Sequence, residues 1–273
     1  MVRRSPTSAA SGLSVQRDGV RAITRALPEE VPVAMVFDGT TQAVMMATPD
    51  ALEDFATGFA LTEGLIDHPD QIEDLEIAHH PRGIEARFWL SRPHGQALAA
   101  RRRSMAGPVG CGLCGIDSID QAIRPLPRLQ SDLRFHRDQV ASASAALEAW
   151  QPLHDRTRAV HAAGCLRPDG TLSHAREDVG RHNALDKLIG ALARDGADPA
   201  QAAFVITSRV SVEMVQKTVM AGCPVLIAVS APTALAVELA EQAGLTLAAF
   251  ARGGGFDLYS HPHRIQTGAS HVA

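Results

Sequence analysis

Ala202-Ala203-Phe204-Val205-Ile206-Thr207, Pro224-Val225-Leu226-Ile227-Ala228-Val229 and Leu245-Thr246-Leu247-Ala248-Ala249-Phe250-Ala251 are three short, nearly uninterrupted apolar runs in the last third of the chain. Runs of this length without polar alternation suit strands buried on both faces. Between them, Val212 to Met220 and Pro232 to Ala243 carry helical spacing, and Gly222 ends the first of these helices. The order is β-α-β-α-β with short connections, which predicts a parallel sheet with right-handed crossovers.

Working outward, Asn183 to Arg194 places Ala184, Leu185, Leu188, Ile189 and Leu192 on one side of a further helix, and Asp138 to Leu153 reads as another. Nearer the start, Val31 to Phe37 and Gln42 to Met46 flank Asp38-Gly39, a hairpin signal. Thr48-Pro49-Asp50 resembles a helix start, with a hydroxyl cap and proline at the first helical position, and Gly64 stops that helix. Glu73 to Ile77 and Gly83 to Leu90 read as two more strands. The fold class is therefore α/β, with a βαβαβ parallel-sheet core and a smaller N-terminal α+β domain. The expected division is a disordered tail over residues 1–18, the small domain over 19–100, and a mobile cysteine loop and linker over 101–130. The main domain covers 131–265, and a second tail 266–273.

Composition narrows the function. The 273 residues carry 26 Lys+Arg against 30 Asp+Glu, a formal net charge of −4, and only 4% aromatic residues. A nucleic-acid binder should show a basic excess and stacking residues, so none is expected as a partner. The longest uncharged stretch, Thr218 to Val237, is broken by Gly222, Pro224, Ser230 and Pro232, so a bilayer span is not expected either. Four cysteines are too few for a disulfide scaffold, which points to a cytoplasmic, reducing compartment.

In open parallel sheets, ligands bind where loops leave the carboxyl ends of strands. Those loops are Ser208-Arg209-Val210-Ser211, Ser230-Ala231-Pro232-Thr233 and Arg252-Gly253-Gly254-Gly255. Their hydroxyls, guanidinium groups and open backbone amides suit an anionic ligand.

Cys111 and Cys114 form a Cys-x-x-Cys pair within Gly107-Pro108-Val109-Gly110-Cys111-Gly112-Leu113-Cys114-Gly115. A zinc half-site, a thioredoxin-like redox pair and a sulfur-carrying nucleophile all use this spacing. Zinc needs two more ligands at suitable spacing, and the chain has no second Cys-x-x-Cys, no His-x-Glu and no His-Glu-x-x-His. No metal ligand is assigned. A thioredoxin-like pair should start a helix after a strand, and glycines surround this one instead. A glycine loop exposes sulfur, and Arg101, Arg102 and Arg103 nearby in sequence favour the thiolate. The reactive reading is favoured over two inert thiols. Gly110-x-Gly112-x-x-Gly115 matches a dinucleotide fingerprint only by letter, since neither a preceding strand nor a suitable following acid supports it.

Four segments together resemble the FdhD/NarQ family of formate dehydrogenase accessory sulfurtransferases. They are Cys111-Gly112-Leu113-Cys114-Gly115, the block from Arg176-Glu177-Asp178-Val179-Gly180-Arg181-His182-Asn183 to Lys187, Ser208 to Lys217, and Ser230 to Thr233. The resemblance implies a cytidine-deaminase-like main domain. It also implies a sulfur carrier loaded as a persulfide by a cysteine desulfurase. The acceptor would be a molybdenum cofactor, bis-molybdopterin guanine dinucleotide, later inserted into the formate dehydrogenase catalytic subunit. A homodimer is left open.

By this resemblance Cys111 is the persulfide carrier and Cys114 its partner, while Phe250, Ala251, Arg252, Gly253, Gly254 and Gly255 contact the cofactor. Arg176, Glu177, Asp178, Arg181 and His182 are candidates for the same crevice, and His161 reads as structural. The chain departs from the family pattern at Arg158 and Ala159, where two glycines are usual, and at Gly255 and Asp257, where Arg and Asn are usual. The competing readings are a non-catalytic chaperone that binds and delivers the cofactor, and a zinc-stabilised nucleotide-binding domain.

Overall fold

The computed structural model describes residues 5–92, 95 and 125–268 of the chain. The expected parallel core is present. Strands β10 (Ala203–Ile206), β11 (Val225–Ala228) and β12 (Thr246–Arg252) pair in parallel, joined by helices α5 (Val212–Met220) and α6 (Ala234–Ala243). Three antiparallel strands widen this core into a six-stranded sheet. These are β8 (His161–Leu166) beside β10, β9 (Leu172–Asp178) beyond it, and β13 (Gly255–Ser260) on the far side of β12. Helices α4 (Arg181–Arg194), α5 and α6 cover one face, where Leu185, Leu188, Met214, Val219 and Leu247 share one buried cluster. Helix α2 (Arg137–Glu148) covers the other through Val140, Ala143 and Leu147, packed against Val205, Ile227 and Ala248. Burial on both faces is why these strands read as continuous apolar runs.

The N-terminal sheet has the order β4 (Thr40–Ala47), β3 (Val31–Phe37), β6 (Gly83–Leu90), β5 (Ile72–His80). Its inner face carries Val33, Met35, Phe37 and Phe88, which pack with Phe55 and Phe59 of α1 (Leu52–Thr62). Phe37 and Phe88 are stacked with ring centroids 4.3 Å apart.

Helices α1 and α4 join this sheet to the larger one, and they do so backbone to backbone. A Cβ on Gly58 would sit 1.8 Å from the Asp186 carbonyl oxygen, and one on Gly190 would sit 1.8 Å from that of Asp54. Only glycine allows this approach. Around the contact lie two buried ion pairs. Lys187 Nζ is 2.7 Å from Asp178 Oδ2, with both side chains fully buried. Lys217 Nζ is 3.0 Å from Asp186 Oδ2 and 2.7 Å from Glu63 Oε1. Asp54 adds pairs to Arg176, at 2.8 Å, and Arg194.

Four expectations need correction. The first 18 residues are not all tail, because Thr7–Gln16 forms β1 and pairs with β2 (Gly19–Pro28). The ribbon alternates weakly and leaves Leu13 and Val15 exposed, so its pattern carried no core signal. Thr48 does not cap α1, which begins at Leu52 after Ala51 in the left-handed region, φ 48°. Its hydroxyl instead accepts from Val179 N at 3.1 Å. The single helix expected over Asp138 to Leu153 is two, α2 and α3 (Pro152–Thr157), since Pro152 restarts the chain. No strand is expected between Asp138 to Leu153 and the helix from Asn183, yet Leu172–Asp178 forms β9.

Gly190→Ala should lower stability by about 3 kcal/mol or more, because neither backbone can retreat from the new methyl. Gly12→Ala, whose added Cβ meets nothing within 4 Å, should stay within about 0.5 kcal/mol. Urea unfolding midpoints of the two variants measure the difference.

Candidate functional site

The carboxyl ends of β10, β11 and β12 open on one edge of the large sheet, and their loops are tied together there. Val229 N donates to Ile206 O (3.0 Å), Val210 N to Ala231 O (3.1 Å), Thr233 N to Val210 O (3.0 Å) and Phe250 N to Ser230 O (3.3 Å). The three loops named from sequence thus form a single rim. The antiparallel β8 adds its first residue, His161, to the same edge, since Ala163 pairs with Ile206. Thr207 closes this seam by exchanging bonds with Ala162, its Oγ1 accepting from Ala162 N at 3.0 Å.

At one end of the rim lies the segment from Phe250 to Gly255. Ala249 pairs with Asp257 and Arg252 with Gly255, so two residues of β12 oppose one of β13, a β-bulge. Phe250 stands in that bulge at φ 53°, a conformation non-glycine residues seldom adopt, with its ring partly exposed. Gly253 and Gly254, at φ 62° and 81°, make the two-residue turn that closes the hairpin. Positive φ at both positions is the geometry that fits strand twist, and it favours glycine. Ala251 is fully buried against the α2 side of the sheet, whereas Arg252 is exposed and no carboxylate pairs with it among the described residues. A bulge and a strained backbone at a sheet edge are common marks of a functional segment.

The acidic members of the Arg176–Lys187 block are occupied with structure. Glu177 accepts from the backbone amides of Leu153 (2.8 Å) and His154 (2.7 Å) at the start of α3. Burial still raises its carboxyl above the ordinary range. Asp178 accepts from Thr48 N, Gly180 N and Asn183 Nδ2 besides its lysine. Arg176 is held by Asp54. None of these three faces the rim as a free charge.

Arg181 and His182 differ. They occupy the first turn of α4, whose cap residue Gly180 offers no side-chain hydrogen bond. His182 Nε2 lies 3.6 Å from Glu213 Oε2, and Ser211 Oγ donates to the same oxygen at 2.7 Å. Glu213 received no role from sequence, and its place in the first turn of α5 after a serine was the available signal. The neighbouring imidazole, followed by the Ser211 hydroxyl, holds its carboxyl down to about 2 against the opposing effect of burial. His161 is pushed down by burial and by the charges of Arg181, His154 and His182.

Cys111 and Cys114 lie outside the described residues. The other two cysteines, Cys165 and Cys223, are buried, and burial pushes both thiols up, so neither is available as a thiolate.

The architecture defines an α/β protein whose candidate site is the rim of loops at the carboxyl edge of a mixed six-stranded sheet. Comparison with known proteins makes the assignment specific. The family model of FdhD/NarQ matches residues 28–266, and the chain belongs to that family. It is 54% identical over 254 residues to the sulfur carrier protein FdhD of Brucella abortus, covering 93% of this chain and 94% of the relative. It is 51% identical over 251 residues to that of Agrobacterium fabrum, covering 91% and 93%. A crystal structure from Desulfotalea psychrophila, described as a formate dehydrogenase accessory protein, aligns with TM-score 0.74 at 24% identity, over 96% of this chain and all of that one. Among the described residues no helix is long and apolar enough to cross a membrane.

The lowered Glu213 carboxyl contributes stability that is fully present above its ordinary value of 4.5 and is lost as the pH falls toward about 2. Glu213→Gln should therefore show a shallower fall in urea midpoint than the parent chain between pH 5 and 2. Parallel curves would remove the pairing.

Proposed function

We propose that this chain is a sulfur carrier that takes persulfide sulfur from a cysteine desulfurase and passes it to a molybdenum cofactor. The acceptor is bis-molybdopterin guanine dinucleotide, destined for formate dehydrogenase. The frame holding it is a cytidine-deaminase-like domain, working in the cytoplasm. The observation that carries the reading is the elimination among thiols. Of four cysteines, Cys165 and Cys223 are buried with raised thiols, which leaves Cys111 and Cys114. Relatives named as sulfur carriers share half their residues with this chain over nine-tenths of its length.

In the loading step, the Cys111 thiolate attacks the outer sulfur of the desulfurase persulfide. An S–S bond forms on Cys111, the donor's S–S bond breaks, and the donor cysteine leaves as a thiolate. Release as sulfide requires an electron pair, which the Cys114 thiolate supplies by attacking Cys111 Sγ. The resulting disulfide is then reduced by a cellular thiol. The acceptor lies along the rim, with its phosphates toward Arg252 and its bulk over Gly253 and Gly254, where no Cβ obstructs approach. Phe250, lifted out of the strand by the bulge, offers a ring face beside it. Gly255 and Asp257, where the family usually has Arg and Asn, remove a cation and add an acid, so Arg252 carries more of the phosphate binding here.

Mass spectrometry of the chain after incubation with a desulfurase and cysteine should show one added sulfur on Cys111, absent in Cys111→Ala. That variant should bind the cofactor normally and fail to activate the dehydrogenase. Cofactor binding with no added sulfur would favour a delivery chaperone instead. Arg252→Ala should weaken cofactor binding about tenfold or more, the worth of a charge-assisted contact, as measured by calorimetry.

A further inference from the structure

The ribbon of β1 and β2 is fastened at its base. Glu29 N donates to Pro6 O at 2.8 Å, and Arg156 of α3 donates through Nη2 to Thr7 Oγ1 at 2.6 Å. Toward the turn, Val15 pairs with Val20 and Leu13 with Ala22, so these four residues share one face. That face is open to solvent, with Leu13 69% and Val15 72% exposed. It also carries no charge, because Ser11, Thr24, Ala9 and Ala26 continue it toward the base. A two-stranded ribbon alone is marginally stable in water, and an apolar face this open calls for a cover. A second uncovered face lies on the outer side of the N-terminal sheet. There Val44 and Met46 of β4 oppose Ala34 and Pro32 of β3, and Trp89 of β6 lies on the same side. Val44 is 49% and Met46 47% exposed, so the chain's own ribbon does not lie over them. Hollows of about 450 and 400 Å³ open on this face, the first over Ala34 and Val44, the second over Val36 and Trp89. The two surfaces differ in charge. The ribbon carries Arg17, Arg21 and Arg25 against Asp18, whereas the sheet face carries Asp74, Glu76 and Glu85 against Arg87.

We propose that the ribbon of one copy of this chain lies on the outer face of the N-terminal sheet of a second copy, which returns the same contact. Leu13, Val15 and Val20 of one copy then pack over Ala34, Val44 and Met46 of the other. Each copy gives one ribbon and one sheet, so a two-fold axis closes the exchange. Area separates it from two ribbons stacked face to face. A ribbon about 33 Å long and about 10 Å wide covers about 330 Å². Two exchanged contacts bury about 1,300 Å² in total, within the range of specific interfaces, whereas a single ribbon-on-ribbon contact buries about half of that. Charge points the same way. Stacked ribbons bring their arginines together, while the exchange sets them beside the acids of the sheet.

Sedimentation velocity of the full-length chain is the test, and the parent should be a dimer at micromolar concentration. Val15→Glu in the ribbon and Val44→Glu on the sheet face should each weaken dimerisation about tenfold or more, since each places an unpaired carboxylate in the contact. Both side chains are exposed within one copy, so each variant should keep the parent's circular dichroism spectrum. Mixing the two variants gives the deciding readout. A mixed dimer joins the intact ribbon of the Val44→Glu copy to the intact sheet of the Val15→Glu copy. The mixture should therefore associate more tightly than either variant alone. A monomeric parent, a dimer indifferent to either substitution, or a mixture no tighter than its components would overturn the exchange. A dimer weakened by Val15→Glu but not by Val44→Glu would overturn it in favour of stacked ribbons.

Discussion

The contact between Gly58 on α1 and Gly190 on α4, flanked by buried Asp–Lys pairs, is the constraint on which the rest of the molecule depends. Two helix backbones that touch without side chains between them have almost no freedom to slide. The pairs add direction. A buried ammonium is tolerable only where a carboxylate and further acceptors meet it, and Lys187 finds Asp178 and the Thr48 carbonyl together at one place only. Asp178 in turn binds the amides of Thr48 and Gly180, so the N-terminal sheet, β9 and the start of α4 are locked in one arrangement.

That arrangement fixes what the rim presents. Because α4 cannot shift along its axis, its first turn is delivered to the carboxyl edge of the sheet with Arg181 and His182 attached. At the other end, the bulge at Phe250 and the glycine turn place Arg252 in solvent beside open backbone. The same block of sequence therefore serves two purposes. Its carboxylates and Lys187 hold the two sheets together, while Arg181 and His182 remain at the rim.

Much of this was legible in the sequence. The βαβαβ core, the strand pair around Asp38-Gly39, the helix at α4 and the three rim loops all follow from apolar periodicity and punctuating glycines, which are local signals. The misreadings have separate physical causes. Thr48 looks like a helix cap because hydroxyl, proline and acid follow in order, yet a residue far along the chain, Val179, claims its hydroxyl. Strands β9 and β13 were missed because each is polar or half-exposed, with Arg176, Glu177 and Asp257 where apolar residues would mark a strand. Glu213 went unassigned because its partner His182 belongs to another helix.

By itself, then, the sequence determined which segments become buried strands and helices, and which cysteine pair and which loops are candidates for chemistry. The resemblance of its motifs pointed to a family that the comparisons confirm. Only the tertiary structure decided which charges are consumed and which are left over. Asp178, Lys187, Arg181 and His182 sit within ten residues of one another and look alike in a string of letters. Their difference arises because burial makes pairing compulsory for the first two, which bond each other and Thr48, whereas His182 meets Glu213 of another helix and Arg181 meets no carboxylate among the described residues.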